Sequence, residues 1–198
     1  MSNKIKLFYG IAYNSKTKYA VSMKGKPTKA YTTWYNMIQR CYCPKIQERC
    51  PTYIGCAVSD EWLDYQCFAE WFYSQTYRKM GYQLDKDILF RGNKLYSPST
   101  CCLVPAQINS LLLNCAASRG DLPQGIYLDK RVGKFVAMLR VKGKREFLGQ
   151  SKDLKEVQQL YKSAKERHVK DMALEYKEQL ADNVFDALMK WKVDGDWV

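Results

Sequence analysis

Residues 125–167, GIYLDKRVGKFVAMLRVKGKREFLGQSKDLKEVQQLYKSAKER, decide the fold of the second half of this chain. Phe135, Ala137, Leu139 and Val141 alternate with Lys134, Val136, Met138 and Arg140, the period of two of a strand with one buried face. Lys142-Gly143 then reads as a tight hairpin turn between two such runs. Asp129 to Gly133 is a looser connection with a basic tip. After Ser151, the residues Leu154, Val157, Tyr161 and Ala164 return at helical spacing, with Ser151 or Asp153 placed to cap the first turn. The expectation is a three-stranded antiparallel sheet backed by one helix, its basic face left open.

Downstream, residues 153 to about 192 read as one long or once-broken helix. Its stripe is Val157, Tyr161, Ala164, His168, Met172, Tyr176, Leu180, Val184, Leu188 and Trp191, more than a small sheet can cover. The excess is expected to pack on the first domain, on a partner or on a second copy. Asp182, Asp186, Asp194 and Asp196 make residues 171–198 an acidic tail, by default solvated.

Upstream, the runs LFYGIAY (7–13) and KYAVSMKGK (18–26) suggest a basic hairpin within residues 1–30. Trp34, Met37, Ile38 and Cys41 have helical spacing, and Trp62, Phe68, Trp71, Phe72 and Tyr73 mark an aromatic second helix whose rings read as core. Residues 116–124, AASRGDLPQ, have the composition of a linker. The domain plan is therefore 1–115, a linker over 116–124, a sheet domain over 125–170 and a helical tail over 171–198, an α+β protein.

Charge narrows the partners. The chain has 198 residues, a formal net charge of +12 and a sequence pI near 9.3. Residues 1–30 hold seven lysines and no carboxylate, and residues 121–170 hold thirteen Lys and Arg against six Asp and Glu. Such a balance favours polyanions through phosphate neutralisation and counterion release. No apolar run approaches the roughly 20 residues of a membrane span, and no signal-peptide pattern opens the chain. A soluble cytoplasmic protein with reduced thiols is expected from its eight irregularly spaced cysteines. Cys41, Cys43, Cys50 and Cys56 lack the C-x2-C knuckle of a zinc site, which disfavours zinc. Cys67, Cys101, Cys102 and Cys115 are expected to fill the core.

Two resemblances sharpen this reading. Gly125-Ile126-Tyr127, Gly133-Lys134-Phe135-Val136-Ala137, Arg140 and Arg145-Glu146-Phe147-Leu148-Gly149 make residues 125–167 resemble the ethylene-response-factor (Apetala-type) DNA-binding domain, in which a three-stranded sheet enters the major groove. The resemblance implies a DNA-facing set of Tyr127, Lys134, Arg140, Arg145 and Phe147. The neighbouring cations Lys130, Arg131, Lys142 and Lys144 complete the expected nucleic-acid-binding residues. The sequence departs from that family at Tyr127 and Asp129, where arginine is usual, and at Met138, where an acidic residue is usual.

The second resemblance covers residues 28–114. TTWYNMIQRCYCPK (32–45), PTYIGCAVSDEWLDYQCFAEWF (51–72) and LDKDILFRGNKLYSPSTCCLVPAQIN (84–109) look like phage-borne HNH-type (homing) endonuclease-like proteins. That likeness implies a ββα-type hairpin in which Asp85-Lys86 stands at the family's Asp-His step, Thr100 at its structural asparagine and Asn109 at its last metal position. The candidate catalytic residues are Asp85, Lys86, Asp87 and Asn109. Asp85 and Asp87 are the candidate ligands of Mg²⁺ or Mn²⁺. A nuclease of this kind uses a histidine as general base. The chain's one histidine, His168, lies far downstream, and Lys86, placed between two aspartates, is a poor candidate for the base. Arg91 and Lys94, with Lys86, remain as phosphate contacts.

The preferred expectation is a phage-type DNA-binding protein on an HNH-like scaffold without its catalytic histidine. Structured RNA is a second nucleic-acid partner, and a homodimer or host protein is a candidate for the C-terminal helix. An active metal-dependent endonuclease, and an adaptor that binds a host protein or ribonucleoprotein, stay open as alternatives. Host cytoplasm or nucleoid would be the compartment.

Overall fold

The structure is a computed structural model of the chain, described over residues 6–76, 81–113 and 121–193. It is mixed α+β and divides into two compact units, Met1–Ala106 and Gln107–Val198. The division falls earlier than the linker read from the sequence. Residues 116–120 of that linker, with Cys115, Asp194 and Asp196, lie outside the described residues.

In the first unit, β1 (Ser22–Met23) and β2 (Lys26–Pro27) form a hairpin closed by Lys24-Gly25, both at positive φ, as the twist of a two-residue hairpin turn requires. Helix α1 (Lys29–Tyr42) follows at once, capped by Thr28, whose hydroxyl accepts the Tyr31 N–H. Its buried residues, Ala30, Trp34, Met37, Ile38 and Cys41, keep the helical period and face the core. α2 (Pro44–Arg49) turns away after Cys43. The aromatic stretch expected as one helix is two, α3 (Asp60–Leu63) and α4 (Tyr65–Ser74). Asp64 breaks it, because its carboxylate accepts the backbone N–H of Gln66 and of Ser15. The rings are core as expected: Trp34, Trp62, Tyr65 and Phe68 are fully buried, and Trp34 Nε1 donates to the Trp62 carbonyl at 2.8 Å.

Around this core run β3 (Ala57–Val58), β4 (Tyr82–Asp85), β5 (Leu95–Tyr96) and β6 (Cys102–Pro105). β4 pairs antiparallel with β6, and β3 pairs parallel with β5. Helix α5 (Ala106–Leu111) follows β6 directly, so the chain order here is β4, β5, β6, α5. Cys41, Cys56, Cys101 and Cys102 are buried, and burial pushes the Cys41 and Cys101 thiols up to about 12. Cys67 corrects the expectation: it is exposed on α4.

In the second unit, β7 (Ile126–Asp129), β8 (Lys134–Val141) and β9 (Lys144–Ser151) form the expected antiparallel sheet in the order β7-β8-β9. The 22-residue helix α6 (Leu154–Glu175) is capped by Asp153, which accepts the Lys155 N–H at 2.8 Å. Ile126, Ala137, Leu139, Val157 and Tyr161 form the core between sheet and helix, with Phe135, Val141 and Leu154 packed against it. A bulge between Ala137 and Met138 sets Leu148 as the extra residue on β9, so that Ala137 opposes Gly149 and Met138 opposes Phe147.

The helical tail departs from the expected stripe. The buried residues of α6 are Val157, Tyr161, Lys165, Val169, Met172 and Ala173, so His168 is half-buried beside the stripe. Lys165 takes a core position because its ammonium donates to the Leu111 carbonyl at 2.6 Å. The helix stops at Tyr176, and α7 (Asp182–Met189) packs on α6, with Leu180, Val184 and Leu188 buried. Leu180, Val184 and Leu188, part of the apolar excess expected to pack on the first domain, a partner or a second copy, are thus buried within the second unit. Lys192 and the Val193 N–H close this end on Glu166, at 2.8 and 3.1 Å. Among the described residues no helix is long and apolar enough to cross a membrane.

Candidate nucleic-acid interface

Strand alternation sends Phe135, Ala137, Leu139 and Val141 toward α6, and therefore Lys134, Val136, Met138 and Arg140 to the opposite, outer face of β8. Cross-strand partners share a face. The register adds Tyr127 opposite Val136 and Asp129 opposite Lys134 from β7, and Gln150, Phe147 and Arg145 opposite Val136, Met138 and Arg140 from β9. Tyr127, Lys134, Arg140, Arg145 and Phe147, the set implied by the first resemblance, thus occupy one face.

Arg140 and Arg145 stand directly across from each other, both exposed. Like charges in that register repel, and a bound anion between them removes the penalty. Among the described residues neither meets a carboxylate. The face has one carboxylate, Asp129, and Arg131 neutralises it with a two-pronged contact at 3.2 and 3.1 Å. The same contact holds the Asp129 carboxyl below its usual range. Between the cationic ends lies a less polar centre. Tyr127 is 49% exposed and Phe147 61%, whereas Val136 beneath them is 3% exposed.

Three of the expected cations stand elsewhere. Lys142 sits in the hairpin turn and bridges Glu175 of α6 at 3.0 Å, on the helix side. Lys144 opposes Val141 and shares its side of the sheet. Arg131 is on the outer side but tied to Asp129. Lys130 is exposed in the turn between β7 and β8.

Three of the candidate catalytic residues, Asp85, Lys86 and Asp87, build a closed loop between β4 and β5. Asp85 Oδ1 accepts the backbone N–H of Asp87 and of Ile88, each at 2.8 Å, which turns the chain at the end of β4. Burial lifts the Asp85 carboxyl above its ordinary range. Lys86 is buried, and its ammonium donates to Asp87 Oδ2 at 2.7 Å and to the Asn93 carbonyl at 2.5 Å. Asn93 returns the clip by donating to the Lys86 carbonyl at 3.0 Å and the Leu95 carbonyl at 2.6 Å. Lys86 is therefore a structural cation of the loop rather than a free phosphate contact. Lys94 is similarly engaged, donating to the carbonyls of Thr52 and Ile54.

Thr100 shares reciprocal hydrogen bonds with Ser97 and donates to the Leu95 carbonyl at 2.7 Å, a turn-closing role. Asn109 is on α5, in the second compact unit. Asn93 went unnoticed in the sequence; its signal was the Gly92-Asn93 pair, a turn dipeptide seven residues after Lys86. His168 is partly buried, and that burial, with Lys165 nearby, lowers its pKa against Asp171, Glu146 and Glu175. Among the described residues no three His, Cys, Asp or Glu side chains are grouped to hold a metal ion.

Comparison with protein-family models, curated proteins and solved structures gives no match to this chain.

Proposed function

We propose that this chain is a DNA-binding protein of phage type, which grips duplex DNA with the outer face of the β7-β8-β9 sheet. The first unit serves it as an HNH-like scaffold without a catalytic histidine. The observation that carries this reading is the composition of one face: Arg140 and Arg145 paired across strands, Lys134 at the other end, exposed Tyr127 and Phe147 between them, and the single carboxylate Asp129 neutralised by Arg131. A sheet can deliver such a set to a groove while phosphates meet the cations. The loop supports a scaffold role for the first unit, because Asp85 and Lys86 are spent on their own turn.

The test is one gel of purified protein with supercoiled plasmid, in Mg²⁺, in Mn²⁺ and in EDTA, read for both mobility shift and nicking. A shift in all three conditions without nicking is expected, with Arg140→Ala/Arg145→Ala weakening it and Asp85→Ala/Asp87→Ala leaving it intact. Metal-dependent nicking lost in the Asp85/Asp87 variant would make the protein an enzyme. Affinity unchanged by the arginine substitutions would overturn the sheet as the binding face.

A further inference from the structure

The cations and the apolar side chains of the outer face are not mixed. Along β8, Lys134 and Arg140 lie six residues apart, about 20 Å in an extended strand. Arg145 stands across from Arg140, and Arg131 lies beyond Lys134 in the turn. Every outer-face side chain between these ends is uncharged. Tyr127, Val136 and Gln150 form one cross-strand row, and Met138 and Phe147 form the next. With strands about 4.8 Å apart, the two strands bearing Met138 and Phe147 make a ribbon that enters a major groove roughly 12 Å wide. The ends then reach phosphates on the two walls and the centre meets base edges.

Base edges in the major groove are mostly polar. Guanine, adenine and unmethylated cytosine offer donors and acceptors that Met138 and Phe147 cannot answer, so covering them removes water without replacing its hydrogen bonds. One feature of that groove is apolar: the C5-methyl group of a pyrimidine. Resting on the duplex-binding reading above, we infer that the centre of this face, through Phe147 and Met138, selects sites carrying C5-methyl pyrimidines between the two cationic ends. Thymine supplies that methyl in ordinary DNA, and 5-methylcytosine supplies the same group in modified DNA. Tyr127 and Gln150 flank the row and have the polar atoms to meet neighbouring bases.

Random-sequence duplexes selected for binding to the whole protein provide the probe. The selected duplex is remade with deoxyuridine in place of thymidine, which removes only the methyl, and separately with cytosine or 5-methylcytosine at the thymine positions, each with its complementary guanine. The deoxyuridine duplex is expected to bind at least about fourfold more weakly, the worth of one buried methyl group. 5-Methylcytosine is expected to bind more tightly than cytosine at the same positions. Phe147→Ala/Met138→Ala, two residues outside the sheet–helix core, should lose both discriminations and keep the salt dependence set by the arginines.

Equal affinity for thymidine and deoxyuridine duplexes, or discrimination that survives in the double variant, would overturn the inference while leaving the duplex-binding reading intact. Absence of binding to any duplex would overturn that reading and the inference together. A thermal melt of the double variant matching the parent protein assigns its loss of discrimination to the face. Should it melt early, Phe147→Ser alone, at a side chain 61% exposed, carries the same comparison.

Discussion

Asp85 shows how a residue that looks catalytic in a string of letters is committed by its surroundings. Its carboxylate organises the turn after β4, and burial, the larger influence, holds its pKa above the ordinary value against the two N–H donors. A carboxyl raised in the folded state contributes stability that is fully present below its unfolded pKa and is lost as pH rises through the folded value. Asp85→Asn retains an oxygen for both N–H groups and removes the ionisation. Its melting temperature should therefore exceed that of the parent protein at neutral pH, and the gain should vanish in acid below the carboxylate range. Thermal melts across that range check it. A deficit at neutral pH would mean that the charged form is the one the turn needs. The arginines make the opposite case. Arg140 and Arg145 stand across strands as like charges and gain nothing from each other; under the proposed function a bound polyanion would relieve that repulsion.

At the scale of elements, the sheet–helix unit rests on close approach at its entry. Gly125 has φ +74°, and a Cβ there would stand 2.6 Å from the Met138 carbonyl oxygen and inside the Tyr161 ring. The Met138 N–H also donates to the Gly125 carbonyl at 2.7 Å, extending the pairing of β7 with β8. Gly125→Ala should cost about 2 to 4 kcal/mol, from backbone strain and overpacking together. A denaturant melt reporting on β7 and α6 measures this; a loss under about 0.5 kcal/mol, the ordinary range of a neutral surface change, would show that Tyr161 moves aside freely. Alternation over residues 134–141 was enough to foresee the strand and its buried face, and the helical spacing of Leu154, Val157, Tyr161 and Ala164 the helix behind it. The bulge was not foreseeable, because nothing in Leu148-Gly149 states which residue will be left unpaired. That bulge decides which β9 side chain beyond it, Gln150, joins Val136 outside.

For the whole molecule, the charge of +12 is distributed over two compact units. Long-range attraction to a polyanion depends on that total, whereas the slope of affinity with salt counts the phosphates actually neutralised. For about four such contacts, affinity should fall roughly a hundredfold between about 50 and 200 mM salt. Arg140→Ala/Arg145→Ala should flatten the logarithmic slope by about two. Anisotropy titrations of a short labelled duplex at several salt concentrations check both values. A slope that the arginine variant leaves unchanged would move the contacts to other cations of the chain.

The sequence by itself determined what depends on neighbours along the chain. Periodicities of 2 and 3.6 placed β8, α1 and α6, turn residues closed the hairpins, and alternation put Lys134 and Arg140 on one face of β8. Tertiary structure decided what depends on partners far away in sequence. Asp64 broke an aromatic helix because it also caps Ser15, 49 residues away. Lys165 displaced His168 from the buried stripe because the Leu111 carbonyl, 54 residues earlier, gives its charge a partner. The fold-back of α7 buried Leu180, Val184 and Leu188 inside the chain. Local hydrogen bonds and alternation act over a few residues, and short stretches encode them. The cost of burying a polar or charged group is met only where folding brings its partner, so no pattern along the chain announces it.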